Sequence, residues 1–320
     1  MDVGPAGASF ESKVVWRPIG DQEHFAVGLG LESYNANELC PWCRANRSTN
    51  PWTAFAASYP PRVGQLPPHP FLHLPGIGRT SVAVDLLHCV DLGVANWLVA
   101  GVLGSLYSEA GHSKQWLREL WGLIQTGYQV TSAKQRLDYL GPSTFLKDPR
   151  SPDAHFPRWR GKGAETKSLV PARLWAVHQL PGQESAFAQT RKQALIHLAA
   201  FYLELQPHRE LQVLAEEVVV ALKRHTAGLL ACLTQLSLTQ TGLYFNIVPK
   251  HHYMLHLVEQ ARCLNPTWTH CYGEEDLVGK AVKAAAAASL GHSQEQVAGA
   301  VLKRYRVLLA LYWKGSQGLD

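Results

Sequence analysis

The chain has 320 residues, of which 46% are hydrophobic and 17% are charged. This composition excludes an intrinsically disordered protein and allows one large hydrophobic core or two smaller ones. The formal net charge of +5 is compatible with an anionic partner, but it is too sparse to identify a nucleic-acid-binding protein by itself.

The sequence does not indicate a secretory or membrane route. The N-terminal residues lack the basic and apolar regions of a secretory signal, and no uninterrupted apolar run reaches the roughly 20 residues of a membrane span. We therefore expect an intracellular protein without a membrane partner, in which thiols stay reduced. The six cysteines then favour metal binding over disulfide bonds.

The first predicted element is a short strand over residues 11–19, bounded by Pro18 and Gly20. Asp21 would follow this strand directly. In open α/β sheets, ligand-binding groups lie at the carboxyl ends of strands. The next stretch, residues 25–34, alternates apolar residues with glycine and is open between strand and helix.

The rest of the chain predicts a mainly helical body. Residues 45–75 are rich in Pro, Ser, Thr and Asn and predict a long irregular connection, and the basic, proline-containing residues 147–162 predict a loop. Apolar residues at helical intervals predict helices over residues 80–107, 113–130, 163–180, 186–205, 209–235, 249–264, 276–288 and 293–314. The expected fold class is α+β and predominantly α-helical.

Two pairs of side chains have the spacing of metal ligands. Cys40 and Cys43 are separated by two residues, which lets both thiolates reach one tetrahedral ion, although a redox pair has the same spacing. His252 and His256 are four residues apart on a predicted helix and project from one face. Together they complete a Cys2His2 set for zinc, with His251 as an alternative first histidine.

Carboxylates provide a second candidate set. Asp85 and His88 are one helical turn apart, and Glu274-Glu275-Asp276 precedes a predicted helix. Both positions have a simple structural explanation, because acidic residues are favoured at helix N-termini. The functional interpretation is that Asp21 and one of these glutamates hold magnesium, which prefers carboxylate oxygens.

Taken together and in this order, the motifs resemble the transposases of CACTA-type DNA transposons. This DDE group has an RNase H-like catalytic domain interrupted by a helical insertion, and the resemblance covers roughly residues 19–313. The phrases that carry it are Gly20-Asp21-Gln22, Ser33-Tyr34-Asn35-Ala36-Asn37, Cys40-Pro41-Trp42-Cys43, residues 84–93, residues 160–165 and residues 249–256.

The resemblance implies a role for each motif. Asp21 and Glu275, with Glu274 as the alternate, would be catalytic and would bind magnesium or manganese. Asp85 and His88 would support the active site or the DNA. A structural zinc would join the insertion to the core through Cys40, Cys43, His252 and His256, with His251 as the alternate. By the same resemblance, DNA would be the partner, the location would be nuclear, and the protein could assemble as a homo-oligomer.

The implied organisation has four parts. Residues 1–44 would be a residual RNase H-like strand region, 45–79 a Pro-rich connection, 80–248 the helical insertion, and 249–320 the C-terminal helices that return to the core with the His pair and Glu275. The fold would be a partial RNase H-like core interrupted by this insertion.

One departure from the family pattern is important. The family's first catalytic aspartate lies well before the second, whereas only twenty residues precede Asp21, and Asp2 is too close to replace it. The resemblance therefore predicts an N-terminally truncated, transposase-derived protein. Its ancestral activity would be divalent-metal-dependent DNA strand transfer or cleavage, and it is expected to be catalytically incomplete. The alternative is a non-catalytic, zinc-stabilised helical module that binds DNA or protein.

Overall fold

The computed structural model describes residues 18–289, together with residues 293, 296, 299, 302, 303, 306 and 307. Asp2, most of the strand predicted over residues 11–19 and most of the helix predicted over residues 293–314 lie outside these residues. The chain divides into two units, Met1–Thr269 and His270–Asp320, and each is described by itself.

The first unit contains one pair of short parallel strands. Strand β1 (Ile19–Gly20) pairs with β2 (Ala83–Val84) in the register Ile19 to Ala83 and Gly20 to Val84. Helix α1 (Gln22–Leu29) follows β1 and ends at Gly30, which adopts the left-handed conformation at φ 70°. The segment that was open between strand and helix is therefore helical over its first part.

A long irregular segment connects α1 to β2, as its composition predicts. Its only regular pieces among the described residues are two 3₁₀ turns, Pro70–His73 and Arg79–Ser81, and two isolated bridges. A small core of its own fixes this segment against α1; its buried members are Phe25, Leu29, Leu31, Leu72 and Val82. Burial of these side chains holds the segment in place where regular backbone hydrogen bonding is sparse.

The helical body follows β2. Leu87–Val94 has π-helical hydrogen bonding and continues directly into α2. The helices of the first unit are α2 (Ala95–Glu109), α3 (Lys114–Val130), α4 (Pro142–Phe145), α5 (Gly163–Gln179), α6 (Ala186–Leu205), α7 (Glu216–Thr239) and α8 (Pro249–Gln260). The described chain is thus α-rich, which confirms the predominantly helical expectation.

Two predicted helices begin later than expected. The helix predicted from residue 80 starts only after Asp85, because Ala83 and Val84 pair with β1 as a strand. The helix predicted from residue 209 starts at Glu216. There, Asn265 bonds backbone carbonyls of the preceding segment, at His208 and Leu211, and so removes them from helical hydrogen bonding.

Helix α2 lies at the centre of the main hydrophobic core. The stretch Leu87–Glu109 has 23 residues and a mean hydropathy of 1.6, which by length and composition would allow it to cross a membrane. However, 89% of its most apolar window is buried inside the protein, so its hydrophobicity is explained by packing. Its last turn also binds the buried Arg191, through Ser105 at 2.9 Å and Glu109 at 2.7 and 3.1 Å.

The second unit contains helix α9 (Tyr272–Ser289). This helix begins four residues before the predicted start at residue 276, so the acidic run lies inside its first turns instead of preceding it. Lys280 pairs with Asp276 one turn earlier, with an N–O distance of 2.6 Å. The pair stabilises the helix surface by a few tenths of a kcal/mol, about 0.3–0.5 for exposed pairs of this spacing.

The contact between α3 and α5 generates a stability prediction. A Cβ atom at Gly127 would overlap the backbone carbonyl of Ala172, whereas one at Gly122 on the same helix would meet nothing within 4 Å. We expect Gly127→Ala to lower the free energy of unfolding by about 1–3 kcal/mol, the usual cost of overpacking. Gly122→Ala is the matched control and should raise it by about 0.5–1 kcal/mol, because alanine favours helix.

Urea unfolding followed by circular dichroism measures both changes. Equal effects of the two substitutions would contradict the close approach of α3 and α5 at this point.

Candidate metal centre

Cys40 and Cys43 lie on a tight turn that the neighbouring chain holds in place. Residues 42–44 run antiparallel to residues 60–62: the Arg44 amide donates to the Pro60 carbonyl at 3.0 Å, and the Arg62 amide donates to the Trp42 carbonyl at 2.9 Å. The Arg62 side chain also donates to the Cys40 carbonyl at 2.8 Å. Both thiols are buried and free, so the turn presents two sulfur atoms inward without a disulfide.

Helix α8 brings two imidazoles to the same place. His252 and His256 are one turn apart and both are buried. The Nε2 atom of His252 lies 3.2 Å from the Cys43 sulfur, and that of His256 lies 3.3 Å from the Cys40 sulfur. The two Nε2 atoms are 3.2 Å from each other. Four potential ligand atoms thus converge from the cysteine turn and α8. In the sequence, Cys43 and His252 are 209 residues apart, and Cys40 and His256 are 216 residues apart.

The separations suit one tetrahedral ion. Zinc lies about 2.0–2.3 Å from nitrogen and sulfur ligands, and the ligands of a tetrahedron are then roughly 3.3–3.8 Å apart. All four atoms lie within 4.8 Å of one another. Cys40, Cys43, His252 and His256 could therefore bind a zinc ion, as their spacing in the sequence predicts.

The electrostatics of the two sulfurs also favour a metal. Burial raises the pKa of the Cys40 thiol, whereas hydrogen bonding from the Cys40 thiol lowers the pKa of Cys43 far below the usual range. Hydrogen bonds with His252 and His256 lower the pKa of Cys43 further. The site is therefore prepared to hold a thiolate, which is the form of cysteine that binds metal.

Glu259 orients one of the imidazoles. Its Oε2 atom lies 2.8 Å from Nδ1 of His256, which leaves Nε2 directed at the cysteines. Hydrogen bonding with His256 lowers the pKa of Glu259, so this side chain is a carboxylate at neutral pH. A carboxylate on the distal nitrogen of a metal-binding histidine fixes the ring and raises its basicity. Glu259 was not among the predicted site residues, although its position three residues after His256 is a usable signal.

His251, the alternative ligand, is not among the four converging side chains. Its Nδ1 atom lies 3.0 Å from the Val248 amide nitrogen, at the start of α8. Burial lowers the pKa of His251 to about 4, so the ring is neutral. His251 therefore helps to hold the N-terminus of α8.

Asp21 and Asp85 lie at the same edge of the strand pair. Each is the residue that follows its strand, and the register aligns Gly20 with Val84. Each also caps a helix: Asp21 accepts from the His24 amide at 2.7 Å, and Asp85 accepts from the amides of Leu87 and His88, both at 3.1 Å. The structural explanation given for Asp85 from the sequence therefore holds, and Asp21 has the same helix-capping role.

These carboxylates line a small cavity of about 30 Å³. His88, whose Nδ1 atom bonds Asp85, lines it as well, and so does Lys250 from the first turn of α8. Burial lowers the pKa of Lys250, while Cys89 and Asp21 act in the opposite direction. The Lys250 stem passes so close to Gly93 that a Cβ atom there would lie 2.8 Å from it. Lys250 was not among the predicted site residues, because no local pattern distinguishes it from a surface lysine.

The predicted glutamate belongs to the second unit. Glu275 is exposed, and its amide donates to the Cys271 carbonyl at 2.9 Å in the first turn of α9. Asp21 is part of the first unit and Glu275 of the second, and the two are described separately. For Glu274, the alternate, the structure describes the backbone as helical.

No family model, curated protein or solved structure matches the chain. Its class is therefore defined by its own fold and site. It is an α-rich protein with one parallel strand pair and a buried Cys2His2 set that could bind zinc.

The converging ligands predict one equivalent of zinc per chain. Cys43→Ser should reduce the zinc content well below one equivalent, because serine is a poor zinc ligand and the remaining three residues bind less tightly. Cys263→Ser is the matched control and should retain zinc, since Cys263 is exposed and outside the set. Elemental analysis of the purified proteins measures both.

The free energy of unfolding should depend on bound zinc. Saturation at a free zinc concentration about 1,000 times the Kd adds about 4 kcal/mol to the free energy of unfolding, and a chelator removes it. A chelator-insensitive wild-type protein without zinc would contradict the site.

Proposed function

We propose that the chain derives from a CACTA-type DNA transposase and acts as a zinc-stabilised domain that binds DNA. The observation that carries this proposal is the convergence of Cys40 and Cys43 with His252 and His256, in the grouping that the resemblance implies. Within the proposal, the parallel strands β1 and β2 are the remnant of an RNase H-like core, and the helices between β2 and α8 are the insertion.

The role of the zinc in this proposal is structural. Two cysteines and two histidines fill the four positions of a tetrahedral ion, so no position remains for a reacting water. This holds even though a cleft of about 590 Å³ reaches Cys43, His252 and His256 from one side. The metal would fix α8 to the cysteine turn and, through α8, to the strand pair.

The DNA-binding part of the proposal rests on the cavity at the strand ends. Ligand-binding groups of open α/β sheets lie at the carboxyl ends of the strands. In this chain the cavity at the carboxyl ends of the strands is lined by Asp21, Asp85, His88 and Lys250. A half-buried lysine and a histidine are suitable partners for a phosphate group, and the net charge of +5 favours an anionic partner.

DNA strand transfer is the second candidate function, and Asp21 is the observation that favours it. In the resemblance, Asp21 and Glu275 bind magnesium or manganese, and the cations would stabilise the attacking and leaving oxygens of the phosphate. Asp21 fits this role only in part: its Oδ1 atom already accepts a helix-capping bond, and the cation of Lys250 lines the same cavity. We therefore propose that strand transfer is the ancestral reaction and that DNA binding is retained.

Supercoiled plasmid distinguishes the two functions. We expect the wild-type protein to bind DNA with an affinity that falls as salt rises, and to produce no nicking with magnesium or manganese. Asp21→Asn and Glu275→Gln should then leave the plasmid unchanged as well.

Metal-dependent nicking that both substitutions abolish would establish the strand transferase and refute the binding-only function. Glu184→Gln is the control for nicking, since Glu184 is exposed and outside every proposed site. A wild-type protein that does not bind DNA at any salt concentration would overturn both functions.

A further inference from the structure

The loop that precedes α5 carries an ordered row of basic side chains. Pro157, Trp159 and Gly163 are buried, whereas Arg158, Arg160 and Lys162 are exposed. This alternation is typical of an extended chain, in which successive side chains point to opposite sides. One side of residues 157–160 therefore faces the core, and the other presents Arg158 and Arg160 about 7 Å apart; Lys162 follows after a bend at Gly161.

The segment is held firmly against the helical body. Asn96 of α2 donates to the Trp159 carbonyl at 2.9 Å. The Arg158 amide donates to the Phe145 carbonyl at 2.8 Å, and the Arg160 amide donates to the Thr144 carbonyl at 3.0 Å. Trp159 is only 2% exposed. The backbone that carries the three cations is consequently fixed, unlike that of a solvated loop.

Some of the described arginines pair with acids, whereas the cations of this row do not. Arg62, Arg79, Arg191 and Arg262 each form an ion pair with a glutamate. Within residues 18–289, no ion pair with an acidic side chain is formed by Arg158, Arg160 or Lys162. Arg160 instead donates to the carbonyls of Leu146 and Lys147, at 3.4 and 3.3 Å, which orients its guanidinium without neutralising it.

The first residue of the row is within electrostatic range of a lysine that lines the cavity at the strand ends. Arg158 lies near enough to Lys250 for its positive charge to act on that lysine, and Lys250 lines the cavity together with Asp21 and His88. Like charges close together on a fixed backbone repel each other, and an anionic partner would relieve this repulsion. The partner must be long enough to contact positions about 7 Å apart along the segment.

We propose that Arg158, Arg160 and Lys162, continued by Lys250, form a basic ledge that binds successive phosphates of a DNA backbone. The ledge rests on the proposed function, to which it adds the surface that holds the DNA beside the strand-end cavity. Its contacts are electrostatic and read no base, so binding at the ledge is independent of sequence and sensitive to salt.

The experiment is fluorescence anisotropy of a labelled DNA duplex with the full chain, over a series of salt concentrations. Each phosphate contact contributes about 0.9 to the slope of log affinity against log salt. The triple substitution Arg158→Gln, Arg160→Gln and Lys162→Gln should therefore reduce the slope by about 3 and weaken binding at low salt. The reduction should be the same for duplexes of different sequence.

Two further variants give the test its specificity. The control triple variant carries Lys114→Gln, Arg118→Gln and Lys134→Gln. It removes the same charge from other exposed positions and should leave the slope nearly unchanged. Arg158→Lys and Arg160→Lys retain the charges and should restore most of the binding, because a phosphate contact of this kind needs a cation more than a fork of donors. Zinc content and circular dichroism, unchanged in every variant, show that each chain is folded.

The outcomes separate the ledge from the proposed function. If the wild-type protein binds DNA and the ledge triple variant keeps the full slope, the ledge is refuted while DNA binding stands. An equal loss in the control triple variant would also refute it, because net charge alone would explain binding. A wild-type protein that fails to bind DNA overturns both proposals.

Discussion

The meeting of the cysteine turn with helix α8 is the interaction on which the arrangement of the first unit depends. It joins segments 209 and 216 residues apart. The hydrogen bonds around it extend the same connection: the Tyr253 hydroxyl donates to the Leu39 carbonyl at 2.9 Å, beside the cysteines. Gln260, at the other end of α8, bonds the backbone of Val84 in β2 and of Val82 just before it. The cysteine turn, α8 and the strand pair are thus one assembly, and the large helical body lies between β2 and α8 in the sequence.

A metal ion suits this position for energetic reasons. Closing a loop of more than 200 residues costs conformational entropy. A thiolate buried beside imidazoles is also costly unless it is paired. One zinc ion would satisfy the buried polar atoms and hold the two segments together. The remaining polar features, the helix-capping aspartates and Lys250, then lie at the strand ends on a framework that is already fixed.

Local patterns allowed much of the helical body to be predicted. Helices α3, α5 and α6 begin and end within about two residues of their predicted bounds because their caps and apolar stripes are local signals. The Cys2His2 set was also predictable, since each pair has its own ligand spacing. The choice of His252 over His251 as the first histidine ligand depends on tertiary structure. The two residues are adjacent in sequence, and only the helix position brings His252 to Cys43.

The features that were missed depend on distant partners. Ala83 and Val84 continue a helical pattern in the sequence, yet they form a strand because residues 19–20 offer backbone partners. Lys250, Glu259 and the basic ledge acquire their roles from what lies beside them: the strand-end cavity, His256 and the buried Trp159. Periodicity cannot show such contacts, because it reports only which face of an element is apolar.

X-ray absorption spectroscopy at the zinc edge tests the central claim most directly. We predict that the purified wild-type protein contains zinc with two sulfur ligands at about 2.3 Å and two nitrogen ligands at about 2.0–2.1 Å. A spectrum with only nitrogen and oxygen ligands, with four sulfurs, or with no bound zinc would contradict the assembly of Cys40, Cys43, His252 and His256 around one ion.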